Sequence, residues 1–268
     1  MPPLTKQQAL AAEAVALQLL SRYAVEFLIV RSGRFSPDRP EDRRLLLNGS
    51  ACFMDLGQGP FGLTANHVIT DALAPETVKR GLFPIQFEPP AQHLFELPDL
   101  EDRIIIRDAE KDIATFRVTN AEVTALHVSV ITLNPVVPTA GVSAIGFTGF
   151  PGQQRLVLGV DGSNSQPELE LSSSPLPAFG IATAVNDRQI TYQFEREHMV
   201  VPPGFTSLPS DFRLGGMSGG PLFVRFNSPV ERLAPAGIIV QGDMLPHHDT
   251  GLLFASRLDG LRPDGRFG

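Results

Sequence analysis

A single cysteine, Cys52, serves all 268 residues. No disulfide can therefore form within the chain, and no site can rest on a set of thiolates. Its neighbours Ala51 and Phe53 are apolar, so Cys52 reads as a small buried hydrophobe. Positive charge is also short, with 22 Lys and Arg against 29 Asp and Glu and a net charge of −7. Proteins that replace counterions along nucleic acid carry a basic stripe, and this balance argues against such a partner. Arg31, Arg34, Arg39, Arg43 and Arg44 do cluster, but Asp38, Glu41 and Asp42 interleave with them, as on a solvated loop. No window holds the roughly 18–20 uninterrupted apolar residues of a membrane span. The first apolar stretch is broken by Glu13 and Gln18 and preceded by Lys6 alone, unlike a signal peptide. We expect no membrane or nucleic-acid partner and a reducing, cytoplasmic setting.

Internal repeats and low-complexity tracts are likewise missing, and the alternation of strands and helices that marks an α/β-hydrolase is not seen. What is present is a helix followed by strands. Thr5 with Gln8 makes a capping-box pattern, and Leu10, Ala14, Leu17 and Ser21 then share one face, which predicts a helix over about 5–22. From Val25 onward, short runs rich in Val, Ile, Phe and Thr alternate with Gly, Pro, Asn and Asp, as in an all-β barrel or sandwich. The runs are VEFLIV, SACFMDL, PFGLTA, PIQFE, RIIIR, IATFRV, VSAIGF, FGIATAV, QITYQF, GPLFV and AGIIVQ. A proline-bearing stretch, LNPVVPTAG at 133–141, is the natural join between two halves.

One stretch asks for an explanation beyond packing. In RLGGMSGGPLF, at 213–223, Ser218 is surrounded by Gly215, Gly216, Gly219 and Gly220. Glycine is used where the backbone needs φ > 0 or where another group must come close. A plain turn would need some of these glycines. A phosphate-binding loop is a weak option, because no Gly-Lys-Ser/Thr follows and Pro221-Leu222-Phe223 reads as a strand. If Ser218 is a nucleophile, it needs a base to take its proton and a carboxylate to orient that base. His67 stands in GLTANHVITD, where a strand gives way to a helical turn, and Asp112 stands in KDIATFRV at the edge of another strand.

The blocks LTANH, DIA and GMSGGP fall in the order His, Asp, Ser. With them the chain resembles the trypsin-like serine peptidases of the chymotrypsin fold, in the disulfide-free style of bacterial HtrA-like and viral members. GSACF before a GQG turn resembles the first-barrel hairpin, VSAIGFTGFPG the opening of the second barrel, and AGIIVQGD the substrate-lining strand. The resemblance implies two packed antiparallel six-stranded β-barrels after an N-terminal helix, divided as 1–22, 23–130 and 131–268, with a short C-terminal segment. It implies His67 as general base, Asp112 as its orienting carboxylate, and Ser218 as nucleophile. Gly216 and Ser218 would supply the oxyanion-hole amides. Val240, Gln241 and Gly242 would line the substrate, and Phe212 would sit at the base of the primary pocket. No metal or cofactor is required. The partners expected are a protein or peptide substrate and, possible in addition, a regulatory protein.

Three positions depart from the family pattern. Met217 replaces an aspartate before the nucleophile, Val240 replaces a serine that would bond to the catalytic aspartate, and Phe212 stands where trypsin-type members carry an acid, with Asp211 one position away. Asp112 should then lean on backbone amides near His67. Cleavage should follow apolar or small residues and not Arg or Lys, since neither Phe212 nor Val240 could neutralise a buried cation. The rival reading is a peptidase-fold module that binds a partner without hydrolysis. His247, His248 and Asp249 read as a polar loop in preference to a metal site, because adjacent strand positions point to opposite faces. His93, His127 and His198 have no motif partners, and Asp71 reads as a capping or solvent-facing residue.

Overall fold

The structure, a computed structural model, describes residues 15–31, 46–83, 94–152, 156–161, 168–172, 175–195, 214–226, 232–244 and 250–268. Within the helix expected at 5–22, residues 15–21 are helical (α1) and 1–14 lie outside the described residues. The first half of the chain builds one curled sheet. Its strands are β1 (Val25–Arg31), β2 (Leu46–Met54), β3 (Phe61–Ala65), β4 (Thr77–Phe83), β5 (Phe95–Glu96), β6 (Ile104–Asp108), β7 (Ile113–Arg117) and β8 (Val130–Ile131). They run in the order β5-β4-β1-β2-β3-β7-β6, with β8 parallel beside β2. The short helices α2 (Asn66–Ala72), α3 (Leu100–Arg103) and α4 (Asn120–Ala125) sit in its connections.

The second half closes on itself. Strands β9 (Ala144–Phe147), β12 (Ala178–Val185), β13 (Gln189–Glu195), β14 (Pro221–Phe226), β15 (Arg232–Met244) and β16 (Thr250–Arg257) form a barrel in the order β12-β13-β16-β15-β14-β9. β10 (Leu156–Asp161) and β11 (Glu168–Ser172) pair as a two-stranded ribbon. The chain is thus all-β, with two antiparallel units after a helix. The second unit has the expected six strands. Among the described residues the first is an eight-stranded open sheet instead of a six-stranded closed barrel, because β5 and β6 stand at opposite ends of its strand order.

The apolar run SACFM is continuous, and not alternating, because β2 is covered on both faces. Ala51 and Phe53 enter the core inside the curled sheet, beside Phe27, Ile69 and Phe116. Cys52 and Met54 point the other way, into a core between the two units. That second core takes Leu17 and Leu20 from α1, Leu63 and Ile113 from the first sheet, Phe223 and Ile238 from the barrel, and Leu258 and Leu261 from beyond β16. Burying each such leucine contributes roughly 1.5–3 kcal/mol. The barrel interior is a third core, in which Phe147, Tyr192 and Phe194 pack ring against ring. After β16 the chain returns over the first unit, where Thr115 Oγ1 donates to the Gly265 carbonyl at 2.8 Å. The two units are therefore clasped at both ends of the described chain.

Candidate active site

β3 ends at Ala65 and α2 starts at once. Helix α2 has no side-chain cap of its own, since Ala65 occupies the cap position. Its first amides are satisfied from a distant turn: Asn66 N–H donates to the Asp112 carbonyl at 3.0 Å, and His67 N–H donates to Asp112 Oδ1 at 2.9 Å. Asp112 thus does the work of an N-cap, which answers the orphan donors every helix start leaves. Its backbone takes φ +52, in the left-handed region that Asp tolerates better than most residues, and this turns the chain from β6 into β7. The turn is fixed further by Asp108 Oδ1, which accepts from the Glu110 and Lys111 amides. Arg107, on β6, clamps α2 by donating to Asn66 Oδ1 at 2.8 Å and to Thr70 Oγ1 at 2.6 Å.

The second carboxylate oxygen, Asp112 Oδ2, lies 2.7 Å from His67 Nδ1. A carboxylate can only accept, so Nδ1 carries the proton, and in the neutral ring Nε2 keeps its lone pair. The Asp112 hydrogen bond holds the imidazole above its ordinary value of 6.5 against the opposing effect of burial, and the charges of Asp112 and Asp71 add to the rise. Asp71 itself pairs with Arg31 at 3.2 Å.

The Ser218 loop is two successive tight turns. Met217 N–H donates to the Leu214 carbonyl at 3.1 Å, and Gly220 N–H donates to the Met217 carbonyl at 2.9 Å. Gly216 and Gly219 take the third position of these turns with φ +96 and +93, as a turn of type II requires. Gly219 also has no room for a side chain, since a β-carbon there would lie 1.8 Å from the Ser50 carbonyl oxygen. Gly215 has neither constraint, with nothing within 4 Å of a β-carbon. Among the described residues, the N–H groups of Gly216 and Ser218 donate no hydrogen bond.

The loop is held by the first unit. Ser50 N–H donates to the Ser218 carbonyl at 2.6 Å, and Thr64 Oγ1 closes the corner by donating to the Ser50 carbonyl at 2.7 Å. The Ser218 backbone and the start of α2 meet at Gly49. A β-carbon there would lie 2.5 Å from Val68 Cγ2 and 3.2 Å from the Ser218 carbonyl oxygen. The Ser218 hydroxyl donates to the Val240 carbonyl at 3.3 Å. No hydrogen bond joins it to the His67 ring among the described residues.

Of the other expected site residues, Phe212 lies outside the described residues, as do Asp211, His93, His198, His247, His248 and Asp249. His127 follows the Leu126 cap of α4 at φ 52, where its N–H donates to the Thr124 carbonyl. The strand pairing of β15 and β16 slips between Ile239 and Gln241, and this bulge turns the Val240 side chain onto the core of the first unit. Val240 was expected on a pocket wall, but it offers the site its carbonyl and not its side chain. Gly242 backs onto Leu214, with room for no β-carbon, and Gln241 is exposed. The residues not anticipated are Ser50, Asn48 and Arg107, none of which carries a local motif. No group of three metal-binding side chains occurs among the described residues.

No protein-family profile matches the chain, and no curated protein sequence matches it either. Among solved structures, the serine protease domain of the Sesbania mosaic virus polyprotein is similar at 17% identity and a TM-score of 0.41, covering 87% of this chain and 88% of that one. Protease Anisep from Arthrobacter nicotinovorans is similar at 12% identity and a TM-score of 0.44, covering 88% of this chain and 90% of that one. A Glu endopeptidase is similar at 12% identity and a TM-score of 0.45, covering 90% of this chain and 87% of that one. Nothing about activity follows from likenesses this distant. Two packed antiparallel β units, with a His–Asp pair on the first and a glycine-flanked serine on the second, make the fold chymotrypsin-like.

Proposed function

We propose that the protein is a serine endopeptidase that cleaves protein or peptide substrates through an acyl-enzyme. The observation that carries this reading is the pair of amides, Gly216 and Ser218, that donate no hydrogen bond among the described residues and stand next to the Ser218 hydroxyl in a loop whose turns are held by Ser50, Gly152 and Ile239. Both residues are half-buried, which leaves their amides open to water or a ligand, and two such donors beside one hydroxyl suit a developing oxyanion. Ser218 Oγ attacks the scissile carbonyl and gives its proton to His67 Nε2. The carbonyl oxygen becomes an oxyanion and receives the two amides. Collapse of the tetrahedral intermediate breaks the C–N bond, and the amine leaves with the proton from His67. Water then repeats the sequence, which frees the acid and restores Ser218. Asp112 keeps the proton on Nδ1 and stabilises the imidazolium.

Strand β14 leaves β15 at Ile238, whereas β16 accompanies β15 to Met244. We place the substrate along 240–242 as an added strand. The residue before the cleaved bond is apolar or small, as Phe212 suggests. No cofactor is needed for these steps. The single cysteine, Cys52, is free and leaves the chain without a disulfide, which suits a reducing compartment such as the cytoplasm. No helix among the described residues is long and apolar enough to cross a membrane.

The Ser218–Val240 hydrogen bond favours a second reading, in which the cleft binds a protein partner without hydrolysis. Cleavage profiling of a denatured peptide library with wild type and Ser218→Ala separates the two. The peptidase reading expects new termini after apolar or small residues with wild type alone. Profiles without cleavage, or the same in both proteins, contradict it.

A further inference from the structure

Resting on the peptidase reading, we propose that Ser50 is a positioning residue for the oxyanion hole. A loop containing Gly215, Gly216 and Gly219 has little conformational preference of its own, so the direction of its amides must be imposed from outside. Ser50 supplies part of that restraint from β2, where it holds two of the loop's carbonyls. Its hydroxyl donates to the Gly216 carbonyl at 2.9 Å and accepts from Phe150 N–H at 2.8 Å. Its own N–H holds the Ser218 carbonyl at 2.6 Å, and its side chain is fully buried.

The consequence follows from peptide planarity. An N–H shares its plane with the preceding carbonyl, so the Gly216 amide is coplanar with the Gly215 carbonyl and the Ser218 amide with the Met217 carbonyl, while the Gly216 and Ser218 carbonyls held by Ser50 belong to the planes that follow. Ser50 thus pins the planes next to both amides, and the Met217 carbonyl, which accepts from Gly220 N–H at 2.9 Å, sets the plane of the Ser218 amide. The plane that contains the Gly216 amide is fixed by the Gly215 carbonyl, which accepts from Gly152 N–H at 2.7 Å. Gly152 belongs to the same segment as Phe150, and Asn48 Nδ2 holds the Phe150 carbonyl to β2 at 2.8 Å. The Ser50 hydroxyl thus sits between the two segments that orient the hole, donating to one and accepting from the other. It touches neither substrate nor the reacting atoms.

Removing the hydroxyl leaves the Gly216 carbonyl without that donor and the buried Phe150 N–H without an acceptor, which loosens the 150–152 segment whose Gly152 N–H orients the plane of the Gly216 amide. Losing one oxyanion donor outright costs about 10²–10³-fold in kcat. Ser50→Ala should lower kcat per titrated site by about 10–100-fold with KM within about twofold. Affinity for a peptide aldehyde, whose hemiacetal oxygen occupies the hole, should fall by a similar factor, while the acid-side pKa of the rate profile stays in place. Ser50→Thr keeps a hydroxyl and should restore most of the loss. The comparison is made on full-length protein at a temperature where circular dichroism shows each variant folded. If Ser50→Thr does not fold, aldehyde affinity of Ser50→Ala against that of wild type decides: a fall of about 10–100-fold supports the proposal and no change overturns it.

A wild-type protein that neither cleaves peptides nor binds the aldehyde overturns the peptidase reading, and this proposal with it. An active wild type with Ser50→Ala unchanged in kcat and aldehyde affinity, or changed in KM alone, overturns the Ser50 proposal and leaves the peptidase reading standing.

Discussion

His67, Asp112 and Ser218 act as one unit in this account, so their losses should not add. Ser218→Ala and His67→Ala should each abolish measurable turnover, and the double variant should be no worse than either. Steady-state assays against one peptide check this, and a double loss equal to the product of two partial losses would contradict it. Asp112→Asn keeps an acceptor for the His67 amide but turns a donor toward Nδ1, which favours the wrong tautomer. A fall of about 10⁴-fold in kcat is expected. The pH dependence has a definite sign. Catalysis needs neutral His67, and the pairing with Asp112 raises its pKa above 6.5. Activity should therefore fall as pH drops through a midpoint above 6.5, and removing the Asp112 charge should move that midpoint down. Stability runs the other way. The contribution of the charged pair is fully present below the unfolded value of 6.5 and is lost as pH rises through the folded value.

The glycines around Ser218 are not equivalent as parts of one element. Gly219→Ala must accept φ +93 and a β-carbon 1.8 Å from the Ser50 carbonyl. A loss of at least ~1–3 kcal/mol is expected from the backbone alone. Gly215→Ala meets no atom within 4 Å and should unfold with wild type. Thermal unfolding of both variants tests this, and equal midpoints would contradict the account of the loop. Strands such as VEFLIV, IATFRV and AGIIVQ were legible in the sequence because their apolar runs are bounded by turn residues. β16 (TGLLFASR) was not, because Leu252 and Phe254 take half-buried positions between Thr250 and Arg257 and hide the alternation through the middle of the strand. β4 was hidden by Lys79, Arg80 and Gly81. The capping box of α4, Thr119 with Glu122, was a readable signal that went unused. His67, Asp112 and Ser218 stood out because each lies in a local motif. Ser50 could not, since its partner Gly216 is 166 residues away and nothing local marks the pairing.

At the scale of the whole molecule, the two units are joined by α1 and by the residues after β16. Leu20 is fully buried between the units, so Leu20→Ala should destabilise by about 2–5 kcal/mol, measured by denaturant unfolding. A truncation starting at Arg22 removes Leu17 and Leu20 together, and it should lose activity by losing the packing between His67 and Ser218. Activity should not depend on a newly cut α-amino group. Met217 is buried in the barrel core and offers no carboxylate to pair with one, and Val25 lies within β1 between β2 and β4. Full-length protein should match an N-terminally tagged form on the same substrate, and a form active only after a defined cut would contradict this. The central claim is an activated serine at the meeting of the two units. Its most direct test is reaction of full-length protein with a fluorophosphonate, followed by peptide mapping of the adduct by mass spectrometry. The account predicts one adduct, on Ser218, abolished by Ser218→Ala and strongly slowed by His67→Ala. Absence of labelling, or labelling spread over other serines and unaffected by His67→Ala, would contradict it.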